Sequence, residues 1–141
     1  MANTILDSLL DGNNYPSHGY LEFNSSDHIR YQNGKNTSGH NYNCHRKIKI
    51  ENSITGNEGY SVTIYNLDGI HPIWRNNIQM SPKRMRIIKT TTNIIELRGF
   101  GFDSMGAPFS NYGITIFIEN DDISKIQLNI FDRHINILYM K

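Results

Sequence analysis

YGITIFIENDDISKIQLNIFDRHINILYMK, residues 112–141, is the stretch of the sequence that decides the fold. Apolar residues occupy alternate positions in three runs, which begin at Ile114, Ile126 and Ile135. Side chains on a strand point to opposite faces in turn, so this spacing places the alternating residues on one side of a sheet. Polar residues interrupt the alternation at 119–122 and at 132–134. The stretch therefore predicts three consecutive antiparallel strands joined by short polar turns.

The composition of the whole chain agrees with a sheet protein. Among its 141 residues, 21 are isoleucine and 18 are asparagine. Isoleucine favours strands because its branched Cβ restricts its first torsion, and asparagine favours turns. The 14 basic and 13 acidic side chains give a net charge of +1. No overall field would therefore draw the protein to nucleic acid or to an anionic membrane.

The same alternation recurs through most of the upstream sequence. The apolar pairs that predict strands are Leu21 and Phe23, Ile29 and Tyr31, Ile48 and Ile50, Val62 and Ile64, Met85 and Ile87, and Ile95 and Leu97. Asn33-Gly34 is a strong hairpin signal, because both residues tolerate positive φ. Polar residues continue through 35–43, however, and we interpret this segment as a long loop rather than a tight hairpin.

One short helix is predicted, over residues 3–11. Asn3 can cap its start and Gly12 can end it. Ile5, Leu9 and Leu10 would then share its apolar side.

The predicted fold is a single all-β domain over residues 1–141, with an antiparallel sheet of about nine short strands over residues 19–141. Parallel strands need long crossovers, usually helical, and the pattern provides none between the strands. A long meander must protect its open edges. We expect it to close as a barrel or half-barrel, with a two-sheet sandwich as the alternative.

The sequence also bears on the compartment. Cys44 is the single cysteine, so an internal disulfide cannot form. The first residues lack the positive charge of a secretory signal, and no run approaches the roughly 20 apolar residues of a membrane helix. We expect a cytoplasmic protein without a membrane segment.

Two segments interrupt the alternation for longest and are the predicted binding loops. The first, residues 66–82, contains Asp68, His71 and Trp74. The second spans residues 99–111 and is rich in glycine and aromatic residues. Long irregular segments on a rigid scaffold are more often functional than average. The residues expected to bind a ligand or a partner are Trp74, His71, Phe100, Phe102, Asp103 and Tyr112.

Three other chemistries have candidate residues. An acid–base enzyme would use His71 with Asp68, or His134 with Asp132. Either pair would require the histidine to lie near the carboxylate in a pocket. The triplet from Asp132 to His134 can equally be a simple turn that the Asp132 carboxylate closes.

His40, Cys44 and His45 are possible zinc ligands, but they supply at most three ligands at one site. We therefore predict neither a metal nor a cofactor.

A basic sheet face could also bind nucleic acid. The basic residues concerned are Arg46, Lys47, Lys49, Lys83, Arg84 and Arg86. Of these, the alternate positions Lys47, Lys49, Arg84 and Arg86 should face solvent and could form this face with Tyr65 and Arg30. Basic residues with aromatic neighbours form the surface of some single-strand binders. Because the net charge is close to zero, we do not predict this function.

Together these patterns favour a non-catalytic binding protein of an inhibitor, immunity or accessory type. Its two aromatic loops would hold a small ligand or a protein partner. The alternatives are the acid–base enzyme and a homo-oligomeric structural protein. The last would pair through sheet edges, of which the strand over residues 135–140 would be one.

Overall fold

The computed structural model describes residues 4–10, 19–36, 45–52, 60–66, 78–79, 85–101 and 110–141. Within these residues lie one helix, α1 (Thr4–Leu10), and eleven strands. The strands are β1 (Tyr20–Ser25), β2 (Asp27–Gln32), β3 (Lys35–Asn36), β4 (Arg46–Asn52), β5 (Tyr60–Asn66), β6 (Ile78–Gln79), β7 (Arg86–Thr90), β8 (Ile94–Gly101), β9 (Ser110–Glu119), β10 (Asp122–Ile130) and β11 (Ile135–Met140).

The strands form two antiparallel sheets, which confirms the all-β class. The large sheet has the order β3-β2-β11-β10-β9-β8-β7, and the small sheet has the order β1-β4-β5-β6. A single bridge between Tyr60 and Met85 joins the start of β5 to the chain before β7. The described strands thus have the two sheets that a sandwich requires, and closure into a barrel is not confirmed.

The alternation in residues 112–141 is confirmed. The inward residues of β9, β10 and β11 are all buried, and they belong to one hydrophobic core with the inward residues of β1, β4 and β5. The buried apolar residues of the three C-terminal strands are Tyr112, Ile114, Ile116, Ile118, Ile123, Ile126, Leu128, Ile130, Ile135, Ile137 and Tyr139. One continuous core therefore connects the two sheets.

The long loop predicted after Asn33-Gly34 is wrong at its start. Gln32 pairs with Lys35 and Tyr31 with Asn36, so β2 and β3 form a tight hairpin. Asn33 and Gly34 have φ of 52° and 80°, which is the geometry of a two-residue hairpin turn. The polar residues after the turn are acceptable because β3 is an exposed edge strand.

Helix α1 forms as predicted and packs on the small sheet through β1 and β4. Leu9 is fully buried, and its carbonyl oxygen accepts a hydrogen bond of 2.9 Å from the Tyr60 hydroxyl. Leu10 was expected on the same side as Leu9, but it is 62% exposed. Consecutive helical residues point about 100° apart, so the two leucines cannot share one face.

The predicted free edge at residues 135–140 is wrong. Strand β11 lies between β10 and β2 and pairs with both. Strand β2 pairs with β11 and so occupies the edge that was predicted to be free. In the described part of the chain, the outer strands are β3 and β7 in the large sheet and β1 and β6 in the small sheet.

Candidate functional site

The first predicted binding loop begins at the end of β5. Asn66 pairs with Arg46, so this segment leaves the small sheet beside the start of β4. Within the segment, Ile78 and Gln79 form β6. Asp68, His71 and Trp74 lie outside the described residues, and so do Lys83 and Arg84.

The second predicted loop is shorter than expected. Strand β8 continues to Gly101 and β9 begins at Ser110, with Gly99 paired to Tyr112 and Phe100 to Asn111. Phe102 and Asp103 lie outside the described residues. Tyr112 is only 1% exposed and packs in the core. Its predicted place on a docking surface is therefore wrong, because the β9 register turns its side chain inward.

Asp132 and His134 do not form an acid–base pair of the predicted kind. The Asp132 carboxylate accepts hydrogen bonds from the Asn111 backbone N–H, at 2.7 Å, and from its side-chain amide, at 3.2 Å. Both bonds lower the pKa of Asp132, the backbone bond most. Asp132 thus anchors the 3-10 turn over Phe131–Arg133 to β9, instead of closing its own turn. His134 is exposed and has a left-handed φ of 54°.

The metal candidates are only partly described. His40 and Cys44 lie outside the described residues, and His45 is exposed just before β4. In the described ranges, no three His, Cys, Asp or Glu side chains lie close enough together to hold a metal ion.

The described residues of the predicted basic face do not all lie on one surface. Lys47 and Lys49 lie on the outer face of the small sheet, where Lys49 Nζ is 5.5 Å from the Tyr20 ring centroid and 5.9 Å from that of Tyr65. Lys47 also forms a 3.2 Å salt bridge with Glu22. This pairing of opposite charges leaves the face far less cationic than a nucleic-acid surface needs.

The prediction that Arg30 belongs to that outer face is wrong, and Arg46 does not lie on it either. Arg46 is 5% exposed and points between the sheets from β4. Arg30 is on β2 of the large sheet, opposite the buried Ile137. Residues opposite each other in an antiparallel pair share a face, so Arg30 also points inward.

Strand β2 is inverted relative to its hydrophobic pattern. His28 pairs with the buried Tyr139 and Arg30 with Ile137, whereas Ile29 and Tyr31 pair with Leu138 and Asn136 on the outer face. Ile29 and Tyr31 are half-buried there. The predicted inward placement of Ile29 and Tyr31 is therefore wrong. The polar side of this strand faces the interior.

The inversion gathers a set of polar side chains that we call the basic corner: His28, Arg30, Arg46 and Tyr139. It lies where the chain crosses from β1 to β2, because Ser25 pairs with Arg46 and Ser26 N–H donates to the Met140 carbonyl oxygen at 2.9 Å. The ring centroids of His28 and Tyr139 are 6.1 Å apart. The imidazole and the phenol thus lie near each other on the inner face of the large sheet, with Arg30 two residues along β2 and Arg46 at the start of β4.

Electrostatics connect the members of the basic corner. Burial raises the pKa of the Tyr139 phenol well above its ordinary value, and the charges of Arg46 and Arg30 act in the opposite direction. Both guanidinium groups therefore lie close enough to influence the same phenol, although they come from different sheets. The phenol stays protonated near neutral pH and is a hydrogen-bond donor.

A concave feature elsewhere in the described residues is an open depression of ≈ 500 Å³ at the end of β8, β9 and β10. Its lining includes Ile94, Phe117, Glu119 and Lys125. Lys125 Nζ lies 4.8 Å from the Phe117 ring centroid. Because the depression is broad and its lysine already covers the aromatic ring, it offers little enclosure for a ligand.

Comparisons with known proteins give no family for this chain. No protein-family profile matches it, no curated protein matches it in sequence, and no solved structure matches it in fold. No helix in the described ranges has the length and apolar character needed to cross a membrane.

Proposed function

We propose that this protein is a non-catalytic binding protein that holds a small ligand at the basic corner, with the segment over residues 66–82 contributing to the same site. The single observation that carries the proposal is the inversion of β2. A strand with alternating apolar residues normally turns them toward the core. This strand turns His28 and Arg30 inward instead.

The inversion has a cost in stability. An isoleucine side chain stabilises the fold by about 1.5–3 kcal/mol when it is fully buried rather than exposed. Ile29 gives up part of this contribution on the outer face, while His28 and Arg46 must be desolvated in the interior. Violations of local sequence rules are expected at functional or strained sites. The basic corner is such a violation.

The location of the basic corner supports the same proposal. Arg46 is the register partner of Asn66, the residue from which the 66–82 segment departs. His45, which precedes Arg46, marks the return of the chain from residues 37–44. The chain segments that precede His45 and follow Asn66 thus attach at the same end of the small sheet. Binding residues commonly lie on such connections, held by a rigid scaffold.

Native mass spectrometry of the full chain tests the proposal. The protein is incubated with a small-molecule extract of its expression host and examined as wild type, Arg30→Gln and Arg98→Gln. Arg98 is the matched control, because its guanidinium lies on the outer face, 4.3 Å from the Phe131 ring centroid. We expect a discrete non-covalent adduct in the wild type and in Arg98→Gln that is absent from Arg30→Gln.

Trp74→Ala gives a second test of the 66–82 segment. If the segment is part of the site, this variant should retain less of the adduct while its thermal stability changes little. The proposal is contradicted if the wild type retains no adduct, or if all variants retain the same adduct equally.

A further inference from the structure

We propose that the ligand of the basic corner is a small molecule carrying an oxyanion, a carboxylate or a phosphate, that binds between Arg30 and Arg46. This inference rests on the proposed binding function and names the chemistry of its ligand. Guanidinium groups present rigid forks of N–H donors that match the oxygens of carboxylates and phosphates.

The two arginines approach from opposite walls. Arg30 projects from β2 of the large sheet and Arg46 from β4 of the small sheet. The positive charges of both arginines act to lower the pKa of the Tyr139 phenol, which is 2% exposed. Two cations fixed by separate sheets around one point attract a single anion more strongly than either does alone. Burial strengthens this attraction, because solvent screens it less.

The exposure of β2 gives the direction of approach. Along its inner face, His28 is buried, Arg30 is half-buried and Gln32 is exposed. The polar inner face thus passes from the interior to solvent along one strand. A ligand can reach the half-buried Arg30 from this side, whereas Arg46, which is 5% exposed, lies deeper. Because Arg46 is only 5% exposed, a group that contacts it must be small, which does not suit a nucleic-acid duplex or a flat protein surface.

The remaining polar groups suit an oxyanion as well. The Tyr139 phenol is kept protonated by burial and can donate its O–H. The His28 imidazole carries one N–H donor in its neutral form and two when protonated. Ser25 serves the structure instead, because its hydroxyl donates to the Asp27 carbonyl oxygen at 2.5 Å. The site is therefore rich in donors, as oxyanion recognition requires.

The competing arrangement is an intramolecular one, in which carboxylates of the chain itself neutralise the arginines permanently. It predicts no response to added anions. An external ligand predicts saturable binding that depends on Arg30. Added anions therefore distinguish the two arrangements.

The experiment is a thermal-shift and calorimetric titration of the full chain with inorganic phosphate and, separately, with acetate, at constant ionic strength set by chloride. Wild type, Arg30→Gln and the control Arg98→Gln are compared. We expect saturable stabilisation of the wild type and of Arg98→Gln, with the Kd about tenfold or more weaker in Arg30→Gln, as loss of a charged hydrogen-bonding partner implies. A response to phosphate alone assigns a phosphate ligand, and a response to acetate alone assigns a carboxylate.

If Arg30→Gln does not fold, Arg30→Lys replaces it, because lysine keeps the charge but loses the bidentate fork; the Kd should again weaken. Equal responses of all proteins, or no response of the wild type to either anion, overturn the inference. A host-derived adduct that is lost in Arg30→Gln but not displaced by either anion would retain the binding function and reject the oxyanion. Absence of any adduct rejects the proposed function itself.

Discussion

Gly19→Ala is the substitution whose effect on the fold can be worked out most directly. A Cβ at residue 19 would lie 1.6 Å from the Leu9 carbonyl oxygen and 2.6 Å from the Leu9 carbonyl carbon. Both are backbone atoms, so no side-chain rotation can relieve the overlap. Helix α1 must therefore move away from the small sheet.

The expected cost follows from what α1 loses when it moves. Leu9 is fully buried, and its burial is worth about 1.5–3 kcal/mol. The hydrogen bond from the Tyr60 hydroxyl to the Leu9 carbonyl oxygen adds about 0.5–1.5 kcal/mol. We expect Gly19→Ala to lower the free energy of unfolding by about 2–4 kcal/mol.

Urea denaturation followed by circular dichroism measures this free energy by linear extrapolation. The matched comparison is Leu9→Ala, alone and combined with Gly19→Ala. If both act through α1 docking, the double variant should be more stable than the sum of the single effects predicts. A cost below about 1 kcal/mol for Gly19→Ala, or strict additivity in the double variant, would refute the reasoning.

The remaining predictions concern the core strands and the turn before β11. Leu128→Asp should abolish cooperative folding because it buries an unpaired charge. The neighbouring outer-face change Gln127→Asp should lower the free energy of unfolding by about 1 kcal/mol or less. Similar urea midpoints for the two variants would reject the inward placement of the Leu128 side chain. The pKa of the Asp132 carboxylate lies below its ordinary value because Asn111 donates to it. Its stabilising contribution is therefore present above the ordinary pKa of an aspartate and disappears as the pH falls through the lower folded pKa. Side-chain NMR titration of Asp132 should give this depressed pKa, and a pKa at or above the ordinary value would contradict the observed bonds.

The C-terminal strands could be predicted from the sequence because their order in the chain is also their order in the sheet. Strands β9, β10 and β11 are joined by short turns and pair with their sequence neighbours. Local alternation alone therefore specifies which residues face inward, and Ile116 and Leu128 are fully buried as expected. The turn between β9 and β10 uses Asn120 and Asp121 at positive φ, which agrees with its polar composition.

The position of β2 could not be predicted because it depends on a partner distant in sequence. Strand β2 pairs with β11, about a hundred residues later in the chain. The sequence shows that Ile29 and Tyr31 alternate with His28 and Arg30, but a shift of one residue in register exchanges the two sides. Only pairing with Tyr139 and Ile137 turns the polar side inward. The prediction of a free edge at β11 was wrong for the same reason, since β2 covers that edge.

The basic corner escaped prediction because its residues belong to three strands in two sheets. The alternation of β4 predicts that Lys47 and Lys49 face solvent, opposite to Ile48 and Ile50, and both isoleucines are fully buried. That burial places Arg46 on the same inner face, since it is two residues before Ile48. The alternation of β4 thus indicated that Arg46 faces inward, whereas nothing in the sequence indicated the inward side chain of Arg30.

A crystal structure of the wild-type protein grown in the presence of phosphate tests the central claim most directly. We expect a phosphate ion within hydrogen-bonding distance of both the Arg30 and Arg46 guanidinium groups, between β2 and β4. Carboxylates of the chain itself bound to both arginines, with no space for an anion between the sheets, would contradict it.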